Sequence, residues 1–391
     1  MVSADVAAAV GRVLDEVFQE RLDAAASIDA RFAKGVAEMV ADFTLTGGKR
    51  MRSRFLWWGM QACGGPADGA SLQAALRLAA GLELIQTCAL VHDDVMDGSP
   101  VRRGRAAMHM ELAAQHGAPA TGPGASFGTS AAILIGDLAL AWADDVVAAT
   151  EFSPDLARDV RRLWQAMRSE MVAGQYLDLY GQRTGSRSMS LALQTASLKS
   201  GLYSVERPLA FGAALAGADQ RTTRALCSAG RCAGLAFQLR DDLLGVFGDP
   251  GHTGKPAGDD IKEGKLTYLL AVARARAQAT RSRALLRILD THVGDAGLTE
   301  REMERVRGAL VASGARDTVE AKIRRLLAQS VRHLDRVALE PAAVAHLREL
   351  FCTAAGIPST AAADIATGSS DAPGDGHRAS PLPPFAEASN V

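Results

Sequence analysis

The sequence predicts an all-α fold, a large bundle packing on the order of ten helices around one core. Three observations carry this. Apolar residues recur at three- and four-residue spacing through long stretches. Runs that alternate between apolar and polar residues are nearly missing. Ala and Leu, both good helix formers, are plentiful, while aromatic residues make up only 5%, a poor supply for sheets. In order, the periodicity predicts helices over 5–30, 32–43, 70–95, 130–149, 155–180, 189–216, 220–247, 265–290, 300–312 and 317–335, separated by short Gly, Pro or Ser stretches. Residues 117–129, GAPATGPGASFGT, are predicted to be an inter-helix loop. A hydrophobic content of 48% is enough for one large core, so residues 1–357 are assigned to a single helical domain. Residues 358–391 are rich in Ser, Pro, Gly and Ala and cannot offset the entropy of ordering, which predicts a disordered tail.

With 43 Lys and Arg against 44 Asp and Glu, the net charge is −1. That balance disfavours sequence-independent nucleic-acid binding, which needs a clustered positive excess. The N-terminal stretch has Asp5 and no basic region ahead of an apolar run, unlike a secretory signal. No apolar run reaches the roughly 18 residues of a membrane span. The best candidates are interrupted by Glu83 and Gln86 or by Asp137 and Asp144, so a cytoplasmic location is expected. Cys63, Cys88, Cys227, Cys232 and Cys352 are odd in number and lack metal-site spacing, and they are expected to be reduced, mostly buried thiols.

Two apolar helices each end in a burst of acids, Asp93-Asp94 with Asp97 and Asp241-Asp242. Asp93 and Asp97 are four apart, which stacks their carboxylates on one helix face about 6 Å apart along the axis. Gly98 and Pro100 follow at once, so these anions stand at a helix C-terminus, where each opposes the helix dipole by roughly 0.3–1 kcal/mol. A bound cation would relieve that conflict. One such pair alone is equally compatible with a solvated acidic helix end.

The surrounding cations shift the balance. Gly47-Gly48-Lys49-Arg50-Met51-Arg52 sets a flexible turn beside three positive charges; Arg102 and Arg103 follow the first acidic cluster, and Gly254-Lys255 and Gly264-Lys265 follow the second. Cations facing hard carboxylates suit a site where Mg²⁺ bridges Asp oxygens to a diphosphate and Lys and Arg hold the remaining phosphate oxygens. No GxxxxGK[ST] motif occurs, so a nucleotide is not the favoured polyanion.

These motifs, in this order, resemble the trans-isoprenyl diphosphate synthase (polyprenyl synthetase) family, especially its geranylgeranyl diphosphate synthases. GGKRMR is similar to the family's GGKRxR, HDDVMDGSPVRRG to its first aspartate-rich motif with the arginine pair, FQLRDD to its second, and GKPAGDDIKEGKLT to GKxxGxDIxEGKxT. The resemblance implies an isoprenoid-synthase bundle around a deep apolar cavity, a homodimer, and head-to-tail condensation of isopentenyl diphosphate with dimethylallyl, geranyl or farnesyl diphosphate. It further implies that Asp93, Asp97 and Asp241 ligate Mg²⁺, three ions in all, with Asp94 and Asp242 in support. Lys49, Arg52, Gln86 and Arg103 would hold isopentenyl diphosphate, and Arg102, Lys199, Lys255 and Lys265 the allylic diphosphate. Ser200 stands where the family has Thr, so the hydroxyl is kept. Gln175, Asp178 and Gln238 match positions lining the cavity, Gln238 as a dipole facing the carbocation.

One departure stands out: the second motif ends in Gly245 where the family has an acid. Asp249 lies off the Asp241 face, and Asp260 matches a nearby family acid; activity is expected to be retained with a weaker third metal. Cys88 and Ala89, five and four residues before Asp93, lie one turn below the metals and are small. The family closes the cavity at fifteen carbons with an aromatic residue there, so the resemblance implies the twenty-carbon geranylgeranyl diphosphate. A class I terpene cyclase is disfavoured because its N-x-x-x-[ST]-x-x-x-E pattern does not occur at 241–249 and it has no use for GGKRMR. A non-catalytic regulatory subunit finds support only in Gly245. Trp57-Trp58 are expected in the core, His92 to pack or hydrogen-bond, and Asp144-Asp145, without nearby cations in sequence, to form a helix surface.

Overall fold

The computed structural model of the chain describes residues 5–66, 69–115, 123–249 and 257–358. Lys255 and all but the first residue of the expected tail lie outside them. Helix α1 (Val6–Ile28) begins where the Asp5 carboxylate accepts from the Ala8 N–H at 2.9 Å. A π-helical stretch, Ala33–Ala37, then leads into α2 (Glu38–Leu45), followed by α3 (Met51–Ala62) and α4 (Gly69–Asp97). A two-residue ribbon pairs β1 (Val101–Arg102) antiparallel with β2 (Arg105–Ala106). Next come α5 (Met108–Gln115), α6 (Pro123–Ala148), α7 (Pro154–Thr184) and α8 (Met189–Ala196). A second π-helical stretch, Ser197–Glu206, runs directly into α9 (Arg207–Leu215), and α10 (Gln220–Phe247) follows. The short α11 (Asp259–Lys262), α12 (Tyr268–Ala279), α13 (Arg283–His292), α14 (Glu300–Ala312), α15 (Ala315–Leu334) and α16 (Pro341–Ala354) complete the bundle.

Helix α4 is the centre, packed against α6, α3 and α1. Leu78, Leu82, Leu84 and Ile85 are all fully buried on it. It is the one described helix long and apolar enough to cross a membrane, but 78% of that stretch is buried inside the bundle. Trp57 and Trp58 lie in the core as expected, Trp58 stacked on the His346 ring at 3.8 Å. All five cysteines are free, Cys88 and Cys352 buried and the others half-buried.

Several elements differ from the periodicity. Residues 123–129 are helical, since α6 starts at Pro123, whose missing N–H costs nothing in a first turn. The predicted 189–216 helix changes hydrogen-bond pattern over Ser197–Glu206: the Arg207 N–H reaches five residues back to the Leu202 carbonyl. Pro208, which has no N–H to offer, follows immediately. The predicted 265–290 helix breaks before Ser282, whose hydroxyl caps α13 at the Leu285 N–H. Helices α3, α5 and α16 were not predicted. In α3, Phe55 through Met60 are all buried, so no one-sided stripe marks it.

Two crossings depend on the missing side chain of a glycine. Gly234 of α10 meets Gly201 of the π-helical stretch: a Cβ on Gly234 would overlap the Gly201 carbonyl and lie 2.8 Å from its Cα. Gly174 of α7 likewise abuts the Lys199 backbone. Gly234→Ala is expected to force the crossing apart and to destabilise the protein by about 2 kcal/mol. A thermal melt of the variant checks this; an unchanged midpoint would refute the contact.

Candidate active site

The acidic end of α4 is surrounded by cations delivered by separate elements, and Asp260, beside Lys265, connects it to the acidic end of α10. Asp93, at the end of α4, accepts from Lys199 Nζ at 2.8 Å and Gln175 Nε2 at 3.3 Å on one oxygen, and from Arg102 Nη2 at 3.2 Å on the other. Lys199 also donates to Asp178 at 2.6 Å, so α7 and the π-helical stretch aim it jointly. Asp94 is fully buried and held by the Arg102 fork, whose Nε lies 2.8 and 2.9 Å from its two oxygens. It supports the site by fixing Arg102, at the root of the β-ribbon. Lys265 donates to Asp97 at 2.7 Å and lies 3.1 Å from Glu263 and 3.6 Å from Asp260.

Charge states follow from this packing. Burial works against ionisation of Asp93, but Lys199, Lys265 and Arg102 hold its carboxyl well below the usual range. Asp97 is pushed up, first by burial and then by the like charge of Asp93. Lys199 and Lys265 remain cationic: burial opposes their charge, yet Asp93 with Asp178, and Asp260 with Asp97, raise their pKa values. Asp97 Oδ1 is buried with no hydrogen-bond partner. A hard-oxygen donor set with one such open oxygen fits Mg²⁺. Across the site, Asp241 is exposed on α10 and Asp242 is buried, accepting from Gln238 Nε2 at 2.8 Å. Burial, then Asp260, pushes Asp242 up to about 8.

The residues expected to hold the second diphosphate surround the turn before α3. Arg103, in a left-handed conformation (φ 54°), donates to the Phe43 and Thr46 carbonyls at 3.1 and 3.0 Å, beside Gly47 and Gly48. Arg52 donates to Ser204 at 2.7 Å and stacks on the Tyr203 ring at 4.3 Å. Its Nε, like Gln86 Oε1, is buried without a partner. Lys49 is exposed and Ser200 half-buried. Arg50 pairs with Glu83 at 3.0 Å, which holds its own left-handed backbone (φ 48°). A cavity of about 720 Å³ adjoins Arg103, bounded among others by Lys34, Phe43, Gly47 and Arg105.

Of the chain-length positions, Ala89 shares the Asp93 face by its four-residue spacing. Cys88 is buried with its Sγ 3.8 Å from His92 Nδ1. His92 is hydrogen-bonded to the Ile133 carbonyl at 3.0 Å, as expected of a packing histidine. Asp144 and Asp145 are not an unpaired surface. Asp144 accepts from Trp164 Nε1 at 2.7 Å and pairs with Arg168, and Asp145 pairs with Arg21 at 3.1 Å. These partners on α7 and α1 are remote in sequence, which is why local reading missed them. Tyr203, Ser204 and Glu263 were also missed, the first two because only the π-helical turn brings them to Arg52.

Residues 33–306 match the polyprenyl synthetase family. The fold is similar to the crystal structure of geranylgeranyl pyrophosphate synthase from Corynebacterium glutamicum, complexed with isoprenyl diphosphate and magnesium. Identity is 38% and the TM-score 0.82, covering 88% of this chain and 98% of that one. In sequence the chain is 31% identical over 308 residues to geranylfarnesyl diphosphate synthase from Aeropyrum pernix, covering 78% of this chain and 87% of that protein. It is 31% identical over 301 residues to geranylgeranyl diphosphate synthase from Mycobacterium tuberculosis, covering 75% and 78%. The chain belongs to the polyprenyl synthetase family. It is a prenyltransferase that uses Mg²⁺ and isoprenoid diphosphates, as the motifs led one to expect.

The Asp242 carboxyl gives a pH signature in the metal-free protein. Its folded pKa of about 8 lies above the unfolded value near 3.8. Between those values the native state binds the extra proton, so stability falls as pH rises through the window and levels off above it. Asp242→Asn removes this contribution. Melting midpoints of variant minus wild type should therefore grow from pH 5 to pH 8, and a pH-independent difference would contradict the buried neutral carboxyl.

Proposed function

We propose that the protein condenses isopentenyl diphosphate head-to-tail with an allylic diphosphate to give geranylgeranyl diphosphate. The observation that carries this is the convergence of Asp93, Asp97, Arg102, Lys199 and Lys265 at one place, with buried Asp242 tied to them through Asp260. Asp93, Asp97 and Asp241 are assigned to three Mg²⁺ ions. Bound there, Mg²⁺ supplies Lewis-acid neutralisation of the diphosphate as the allylic carbon–oxygen bond breaks. Lys199, Lys265 and Arg102, with Lys255, hold the oxygens of that diphosphate and stabilise the charge it gains. Lys49, Arg52, Gln86 and Arg103 place isopentenyl diphosphate so that its double bond faces the allylic carbon. Gln238 turns its amide dipole toward the developing cation, and the apolar helices exclude water that would quench it. The proton lost on forming the new double bond passes to the departing diphosphate.

The exposed Phe127, Ile133 and Leu134 on α6 support a homodimer formed over that helix. The burial of α4 in the bundle supports a cytoplasmic protein. The product length is assigned from the small side chains at Ala89 and Cys88, which leave room below the metals.

Incubation of the purified protein with Mg²⁺, labelled isopentenyl diphosphate and each allylic starter, with chromatography of the dephosphorylated alcohols, tests this reading. Geranylgeraniol is the expected main product. No elongation from any starter would overturn the synthase assignment. Ala89→Phe and Cys88→Phe are each expected to shift the product toward the fifteen-carbon alcohol, Ala89→Phe more strongly because it lies directly beneath Asp93; unchanged chain-length profiles would remove these residues from the cavity wall.

A further inference from the structure

Charge is balanced over the whole chain but segregated within it. Residues 220–240 include Arg221, Arg224, Arg231 and Arg240, residues 321–334 include Lys322, Arg324, Arg325 and Arg332, and neither stretch contains an Asp or a Glu. The two stretches belong to α10 and α15, which pack along each other. They run antiparallel. Arg221, at the start of α10, donates to the Arg336 carbonyl just past the end of α15 at 3.3 Å, and further along the Cys232 thiol lies 3.9 Å from Gln329 Oε1.

On each helix the cations return to one side. Arg221, Arg224 and Arg231 follow one another at spacings of three and seven on α10, and Arg325, Arg332 and Arg336 at spacings of seven and four on α15 and the turn after it. All six are exposed. The two rows form a face about 15 Å long and about 10 Å across. The acids at its border are already engaged. Glu206 is buried beneath Arg231, accepting from it twice at 2.8 Å; Asp219 caps α10 at the Thr222 N–H, 2.7 Å away; and Asp335 pairs with Arg348. Arg325, Arg332 and Arg336 make no ion pair among the described residues. Half-buried His333 registers the excess: burial lowers its pKa, and Arg336, Arg332 and Arg231 lower it further. Lys322 is lowered by burial and then by Arg325. Arg231 and Arg221 precede Asp241 by about 15 and 30 Å along α10, so this face is separate from the diphosphate site.

We infer that the paired arginine rows of α10 and α15 are a docking surface for an anionic lipid bilayer. Charge complementarity supports that occupant: two parallel helices present their guanidinium forks in one plane, which suits the phosphates of a planar headgroup layer. A nucleic acid suits the face less well. None of its residues is aromatic, so it offers unpaired bases nothing to stack on, and the chain has no overall positive charge to draw a duplex in. The reaction class agrees with a membrane. A prenyltransferase releases an amphiphile whose apolar chain leaves water for a bilayer, and an enzyme held at that surface delivers its product where it partitions.

The test is co-sedimentation of the full chain with vesicles of phosphatidylcholine alone and of phosphatidylcholine mixed equally with phosphatidylglycerol. Binding is expected to the mixed vesicles only, and raised salt should release it. Combining Arg325→Gln, Arg332→Gln and Arg336→Gln should lower the partition constant by about 100-fold, while prenyl transfer in solution and the melting midpoint stay at wild-type values. Combining Arg158→Gln, Arg161→Gln and Arg162→Gln on α7 removes the same charge from other exposed positions and should leave vesicle binding unchanged. The inference is overturned if the wild-type chain ignores the mixed vesicles at low salt, binds both vesicle types equally, or loses binding to the same extent in the two triple variants. It is overturned too if duplex DNA binds more tightly than the mixed vesicles and the α15 triple variant loses the DNA, which would give the face to nucleic acid.

Discussion

The constraint on which the rest of this structure depends is the placement of paired carboxylates at the ends of two buried helices. Asp93 and Asp97 stand at a helix C-terminus, four residues apart, with their side chains largely removed from water. Burial, mutual repulsion and the helix dipole all disfavour their charge. An isolated helix with this ending would protonate or fray. The protein instead surrounds the acids with cations brought by unrelated elements: Arg102 from the β-ribbon, Lys199 from the π-helical stretch and Lys265 from the link between α11 and α12. None of these three cations lies on α4 itself, so the compensation comes from the fold and not from the helix.

The irregular features of the fold cluster where these cations must be aimed. The π-helical stretch adds a residue to the turn, which brings Lys199 to Asp93 while Ser204, five residues on, meets Arg52. Gly174 and Gly234 let α7 and α10 press against that stretch, fixing its depth. Arg50 and Arg103 adopt left-handed backbone conformations, each costing on the order of 1–3 kcal/mol unless the surroundings hold it. Glu83 and the Thr44 carbonyl hold the first, and the Phe43 and Thr46 carbonyls the second. Two of the three left-handed non-glycine residues among the described residues thus sit at the site, the third, Arg281, being at the break between α12 and α13.

The same division explains what could be read from the amino-acid sequence. Amphipathic helices with local caps were legible: α10 and α14 fall on their predicted ranges, and α14 carries a full capping box between Thr299 and Glu302. Helix α3 was hidden by burial on most of its faces, and the π-helical stretch by a periodicity that passes through it without a break. The acids of the site were visible because Asp93 and Asp97 are neighbours on one turn. Their partners are 106 and 168 residues away at Lys199 and Lys265; Lys265 was visible as a cation following the second acidic cluster, whereas Lys199 entered only through resemblance to a family. Arg168 and Arg21, which pair with Asp144 and Asp145, belong to no motif, and nothing local marked them.

The charge pattern also bears on how the site exchanges partners. Lys199 and Lys265 are held cationic by the carboxylates they touch, and they would stay charged after release because their ordinary pKa already lies well above neutrality. Under the proposed assignment of these aspartates to Mg²⁺, divalent ions on the carboxylate oxygens would free both lysines for the diphosphate. Each lysine would then exchange one set of anionic oxygens for another without a stage in which its charge is buried unpaired. On that proposal the lysine–aspartate pairs organise the site before substrate binds and would become its phosphate-binding half afterwards.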